Sequence, residues 1–426
     1  FVSDPNHDRQ IETAIAFLTT YCRKNLCTLR EAVAGLEGMV ESSVLEEAID
    51  RIEDIARGVV HGPRGGVLTV HGEPAQHPWY VGPTDEDIYW PSLRRHLNGA
   101  GWADDALSVL DTSSTKVLAN LADPGSDHVD SRGLVLGHIQ SGKTTNFTAV
   151  ISKAADAGYR FIVVLSGVSN ALRRQTQLRL TEQLVSLQPL HWVGLTDEFR
   201  DMGKPNQFGF AGLAQPGVRT LAVVKKNPTR LDNLITFLTK ALEHGALANC
   251  PILVIDDEAD QASLSPDLTA EKRTNINNKI VTLLTSFPKV SYVAYTATPF
   301  ANFFVDPSYP ENLYPRDFIV SLPEPDGYFG PKQMFGVTDQ DPPEVDVVRI
   351  IPEHERQKIA PPSGRNTTFK PSVTPSVQTA LRWFFLATTA RRLMADGEQP
   401  HSTMMIHSSE RVVQHRLLWN EVSREV

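Results

Sequence analysis

The chain has 426 residues, a net charge of −9 and an apolar share of 41%. That length suits two or three domains, that share suits a globular protein, and that charge argues against a surface coated for nonspecific nucleic-acid binding. Cys22, Cys27 and Cys250 show no metal spacing and no disulfide framework, no apolar run reaches the length of a membrane span, and no signal peptide opens the chain; the expected setting is cytoplasmic, with no membrane.

Residues 1–125 read as mostly helical. "QIETAIAFLTTYCRKNL" and "SSVLEEAIDRIEDIARGVV" carry apolar residues at helical spacing, loops around "GPRGG" and "GEPAQHPWYVGPTDED" interrupt them, and "IYWPSLRRHLNGAGW" and "ALSVLDTSSTKVLANL" add more helix. Trp90 and Trp102 read as core packing, with an aromatic platform as the alternative. Residues 126–305 alternate strand and helix. "RFIVVLS", "RTLAVV", "PILVIDD" and "VSYVAYTAT" are apolar runs of the kind expected in strands buried on both faces, and helical stretches lie between them. The expectation is a doubly wound parallel α/β domain, with ligands at the C-terminal ends of its strands. Residues 306–375 are expected to be an irregular insertion or linker, since 299–375 hold 14 of the 29 prolines. Residues 376–426 return to regular structure: the helix "VQTALRWFFLATTARRLM", the apolar strand "STMMIHSS" and a final amphipathic helix. That reads as the incomplete start of a second α/β lobe. The chain opens on Phe rather than Met, and the expectation is a piece of a longer protein.

Within the α/β region, "GLVLGHIQSGKTTN" carries the first chemistry. Residues 137–144 fit G-x-x-x-x-G-K-[ST] without a mismatch, between an apolar strand and a helix. Gly137 and Gly142 let the loop curl with N–H groups inward, while Gln140, Ser141 and Thr145 complete it. The helix N-terminus adds partial positive charge, Lys143 reaches the β- and γ-phosphates, and the Thr144 hydroxyl binds Mg²⁺. The expected ligands are ATP and Mg²⁺.

A second motif, "PILVIDDEAD", ends an apolar strand in acids. A phosphate loop needs such a strand opposite its Mg²⁺, one carboxylate holding the metal and the next polarising the attacking water. Because Asp256 and Asp257 are adjacent, two alignments are possible. A D-E-A-D reading gives Asp257 to the metal and Glu258 to the water, with Asp256 structural. "TAT" follows at the end of "VSYVAY", bringing in Thr296 and Thr298.

In this order the three motifs resemble the first RecA-like lobe of a superfamily 2 helicase. "RGLVLGHIQSGKTTNFTAVISKAADAGYRFIVVLSGVSNALRRQTQLRL" is similar to the Z-one domain family of bacterial helicase-like proteins. Q-S-G-K-T at 140–144, D-A-G-Y-R at 156–160 and L-R-x-Q-T at 172–176 carry the likeness, with "DDEAD" and "TATPFAN", over roughly residues 85–305. The resemblance implies a RecA-like P-loop NTPase lobe, preceded by a helical domain and followed by the start of a second such lobe. It makes Thr296 and Thr298 the coupling element between nucleotide and nucleic acid. It further implies a motor subunit of ATP-dependent restriction endonucleases of the CglI and NgoAVII kind, which moves along double-stranded DNA while a separate subunit recognises and cuts. The arginine-bearing last motif of such motors is not visible; Arg411, Arg416 and Arg424 stand in the wrong context for it.

Loops after the strands supply candidate DNA contacts: Asn170, Arg173 and Gln175 in "SGVSNALRRQT", and Lys225 and Lys226 in "VVKKNPTR". Such side chains neutralise or bond phosphates without reading bases. The competing expectation is a regulatory P-loop ATPase that switches a partner without moving on DNA. No nuclease pattern stands out.

Overall fold

The computed structural model describes residues 10, 13–14, 43–45, 67–69, 79–139, 142–204, 210–261, 263, 274–298, 313, 315–325, 327–336, 345–360, 369–394, 401–409 and 412–426. They fall into two compact units, 1–328 and 329–426. Most of the two helices expected before residue 60 lies outside the described residues; 10, 13–14 and 43–45 are helical.

In the first unit, eight described strands form one sheet: β1 (Val67–Thr69), β2 (Val129–Leu136), β3 (Phe161–Ser166), β4 (Trp192–Gly194), β5 (Arg219–Lys225), β6 (Ile252–Asp257), β7 (Lys289–Thr296) and β8 (Phe318–Ser321). Their order is β1-β8-β2-β7-β6-β3-β5-β4. β2 to β8 run parallel, and β1 pairs antiparallel with β8 at one edge. The helices of this unit are α1 (Tyr89–Gly99), α2 (Asp104–Ala119), α3 (Lys143–Ala157), α4 (Asn170–Leu180, extended by a π-helical turn at Thr181–Val185), α5 (Phe210–Ala214), α6 (Pro228–Glu243) and α7 (Asn275–Thr285).

Alternation along β3 shows why the strands read as unbroken apolar runs. Phe161, Val163 and Leu165 face Leu231, Leu234 and Leu238 of α6 and Ile280 and Leu283 of α7. Ile162 and Val164 face Phe147, Val150 and Ile151 of α3 on the other side. Both faces are covered, so Phe161 to Leu165 are all apolar, each side chain contributing about 1.5–3 kcal/mol by leaving water.

A further layer lies beyond α3. Trp90, Leu93 and Leu97 of α1 and Leu107 and Leu110 of α2 pack with Ala149. Lys153 is fully buried there, donating to the Asp111 carbonyl at 2.6 Å and the Thr115 hydroxyl at 2.7 Å, 4.4 Å above the Trp90 ring. Trp90 is therefore core, whereas Trp102 is half-exposed at the surface.

The D-A-G-Y-R stretch builds scaffold. Asp156 accepts the backbone N–H groups of Ile88, Tyr89 and Trp90 at 2.8, 2.9 and 2.8 Å, capping α1 where its own N-cap, Ile88, supplies no side-chain bond. Gly158 ends α3 at φ 114°. The Tyr159 hydroxyl donates to the Ala122 carbonyl at 2.6 Å, and Arg160 donates to the carbonyls of Asn249 and Leu213. Asp156→Ala strands three N–H groups at a helix start, and a cost of about 2–3 kcal/mol is expected. Urea unfolding should show a lower midpoint at unchanged slope; an unchanged midpoint would mean that water replaces the carboxylate at no cost.

Three strands depart from expectation. β8 lies inside the proline-rich 306–375 segment and pairs along β2, so the sheet continues past residue 305. β1 lies in the region expected to be helical, and β4 is three residues long. The second unit holds α8 (Pro331–Phe335), α9 (Glu353–Ile359), α10 (Pro375–Met394) and α11 (Val412–Glu425), the last three of which build a small core of Ile359, Val377, Leu381 and Leu418. The expected strand "STMMIHSS" joins no ladder among the described residues. It keeps the alternating exposure of a strand, with Met404 and Ile406 packed on that core. Among the described residues no helix is long and apolar enough to cross a membrane.

Candidate functional site

Pairing register brings the motifs together. β2 and β7 align Leu136 with Thr296, and β7 and β6 align Tyr295 with Asp257. The loop after β2, the end of β7 and the acidic end of β6 thus share the C-terminal edge of the sheet. The Gly137 N–H donates to the Thr296 carbonyl at 3.1 Å. α3 begins at Lys143 with Gly142 as N-cap, at φ 88° and without a side-chain cap. Its leading N–H groups therefore stay available to an anion, reinforced by the helix dipole. Lys143 is buried, and its Nζ donates to the His138 carbonyl at 3.1 Å. A Cβ at Gly137 would lie 2.6 Å from Lys143 Cγ, so glycine there lets the lysine fold back over the loop. Thr145 is buried and Thr144 half-buried. Gln140 and Ser141 lie outside the described residues. Tyr328, which the sequence reading did not single out, braces the loop: its hydroxyl donates to the Ile139 carbonyl at 2.8 Å and its ring lies 5.2 Å from that of His138.

The acids separate by environment. Asp256 is fully buried, 2.7 Å from Lys226 Nζ and accepting the Tyr292 hydroxyl at 2.7 Å. Lys226 also donates to the carbonyls of Glu258 and Gln261, at 2.7 and 3.2 Å. Asp257 and Glu258 instead line a cavity of about 170 Å³ with Thr144 of α3 and Gly167 after β3. Its opposite wall is one face of α4, formed by Leu172, Gln175, Thr176 and Arg179. Glu258 sits at φ 52°, the left-handed region that costs a glutamate of order 1 kcal/mol and recurs at functional sites. Asp260, which sequence reasoning left without a role, receives the hydroxyls of Thr296 at 2.9 Å and Thr298 at 2.8 Å. It ties the acidic turn to the threonines after β7; its place as last letter of D-E-A-D was the available signal.

No family model and no curated protein matches the chain.

Burial, with Glu258 alongside, pushes the Asp257 carboxyl up to about 6. An acid whose folded value is raised binds protons more tightly when folded. Its charge therefore costs stability above that value, and the cost is relieved as pH falls from 6 towards 3.8. Asp257→Asn is expected to stabilise the ligand-free chain at pH 7.5 by up to ~2–3 kcal/mol, less what partial exposure screens, and by roughly a third of that at pH 4.5. Thermal melts of both proteins across that range check this. An equal gain at both values would mean that the charge is not the cause.

Two residues expected at the DNA face are structural. Arg173 is buried and donates to the carbonyls of Asp197 and Glu198. Lys226 is buried in the Asp256 ion pair, where desolvation keeps both charges together. Both cations are thus committed to groups of this chain. Asn170 and Gln175 are exposed, and Lys225 is half-buried with its Nζ donating to Asn170 Oδ1 at 2.7 Å.

Proposed function

We propose that the chain is a RecA-like P-loop ATPase, the motor subunit that moves double-stranded DNA for a separate nuclease and recognition subunit in a restriction system of the Z-one kind. The observation that carries the nucleotide reading is the cavity in which the first turn of an uncapped helix meets two carboxylates. Among the described residues no group of three or more His, Cys, Asp or Glu gathers to hold a metal. Mg²⁺ beside phosphates takes only one or two carboxylates, completing its shell from phosphate oxygens and water, and Thr144 with Asp257 fits that donor set. The metal would neutralise phosphate charge. Lys143 and the α3 N–H groups hold the phosphates, and Glu258 takes the proton of the attacking water. Asp260 links this centre to Thr296 and Thr298, which supports the coupling role given to them.

Steady-state ATP hydrolysis by the full-length protein, with and without duplexes of unrelated sequence, tests the reading. Turnover should rise with DNA regardless of sequence and lose that stimulation as salt increases. ATP hydrolysis indifferent to DNA would replace the motor with a regulatory ATPase. Absence of nucleotide binding would end both.

A further inference from the structure

α4 carries three arginines. Arg173 is spent on the carbonyls of Asp197 and Glu198, and Arg174 pairs with Glu198 and stacks on Phe199. Arg179 is different: among the described residues it has no hydrogen-bond or ion-pair partner, yet it is half-buried and lines the cavity that holds Thr144, Asp257 and Glu258. Leu172, Gln175, Thr176 and Arg179 stand at i, i+3, i+4 and i+7, so one stripe of α4 faces the carboxylates. Gln175 likewise has no partner among the described residues. An arginine that shares a cavity with two carboxylates and pairs with neither leaves space between the charges, and the α3 N-terminus opens onto that space through Thr144.

We infer that Arg179 is a built-in phosphate-contacting residue that binds the terminal phosphate of a nucleoside triphosphate from the α4 side, with Gln175 beside it. This rests on the nucleotide reading above. A guanidinium presents a planar fork of donors to phosphate oxygens and stays charged, which a lysine at the same place reproduces only in part. Lys143 also holds the β-phosphate, which a diphosphate keeps. Arg179 reaches the one it lacks, so it sets the preference for triphosphate and stabilises charge as that phosphate leaves. DNA is a poorer occupant, because the cavity is walled by Thr144 and the acids of β6 rather than opening as a groove along the sheet.

Calorimetric binding of Mg-ADP and of a non-hydrolysable Mg-ATP analogue to the full chain, together with ATP turnover, tests this in wild type, Arg179→Ala, Arg179→Lys and Lys143→Ala. In Arg179→Ala the analogue should bind roughly tenfold or more weakly while ADP stays within about twofold, and turnover should fall by roughly 10² or more, against 10³ to 10⁵ for arginines in related phosphoryl transfers. Arg179→Lys should recover part of the analogue affinity and little turnover. Lys143→Ala should lose both nucleotides. Equal losses for ADP and the analogue in Arg179→Ala would make Arg179 structural and overturn the inference, as would an unchanged ratio with unchanged turnover. A defect confined to DNA stimulation would assign it to DNA instead. Failure of wild type to bind either nucleotide would remove the nucleotide reading and Arg179's role with it.

Discussion

Lys143→Ala is expected to remove nucleotide binding, whereas Glu258→Gln is expected to keep it and stop turnover. Without ligand, Lys143 makes one hydrogen bond among the described residues, to the His138 carbonyl, so the variant should fold normally. With ligand it would make charge-assisted bonds to two phosphates. At about 1.5–3 kcal/mol each, their loss weakens affinity by roughly 10² to 10⁴. Glu258→Gln preserves side-chain size and the left-handed backbone, and changes only the capacity to accept a proton. General-base removal typically costs 10² to 10⁴ in rate. Fluorescent ATP-analogue titration and steady-state hydrolysis separate the two effects. Wild-type affinity in the Lys143 variant would refute the phosphate loop, and lost binding in the Glu258 variant would refute the division of roles.

Gly133→Ala is expected to be among the most damaging single-methyl additions in the chain. An added Cβ would lie 2.0 Å from Phe318 Cζ and 2.3 Å from both Cε atoms. The ring is fully buried, and its backbone is held opposite Gly133 in the β2–β8 register, so neither partner has room to retreat. Overpacking costs about 1–3 kcal/mol where neighbours adjust, and this contact should reach or exceed the top of that range. Because β2 leads into the phosphate loop, nucleotide affinity should fall with stability. Adding Phe318→Leu should return part of the loss, giving a coupling energy of about 1 kcal/mol or more in a double-mutant cycle read by urea unfolding. Strict additivity would mean that the damage arises elsewhere.

What could be read from the sequence follows from which forces act locally. β3, β5, β6 and β7 were legible because burial on both faces makes them continuous apolar runs. Gly137, Gly142 and Lys143 were legible because close backbone approach and a single charge impose fixed spacing. Other features depend on distance in space. Arg173 and Lys226 look like surface cations in a string of letters; only the fold puts Asp197, Glu198 and Asp256 against them. Asp156 caps a helix more than sixty residues earlier. Which stripe of α4 turns towards Asp257 and Glu258 is set by packing, so nothing in the string of letters marked Arg179. β8 is four residues among prolines, too short for a period to show.

That last strand bears on how the chain is made. β2 becomes an interior strand only when β8 arrives beside it, with Gly133 against Phe318. A ribosome adding about 5–20 residues per second takes roughly 10 to 40 s to cover that separation. Through that interval the outer edge of β2 has no neighbour on that side, and β7, its other neighbour, is also made late. Long-range parallel pairing of this kind folds slowly and leaves apolar edge backbone open to wrong partners. The phosphate loop hangs from that edge, so competence to hold a nucleotide should be acquired late in synthesis, well after its own glycines and lysine have left the exit tunnel.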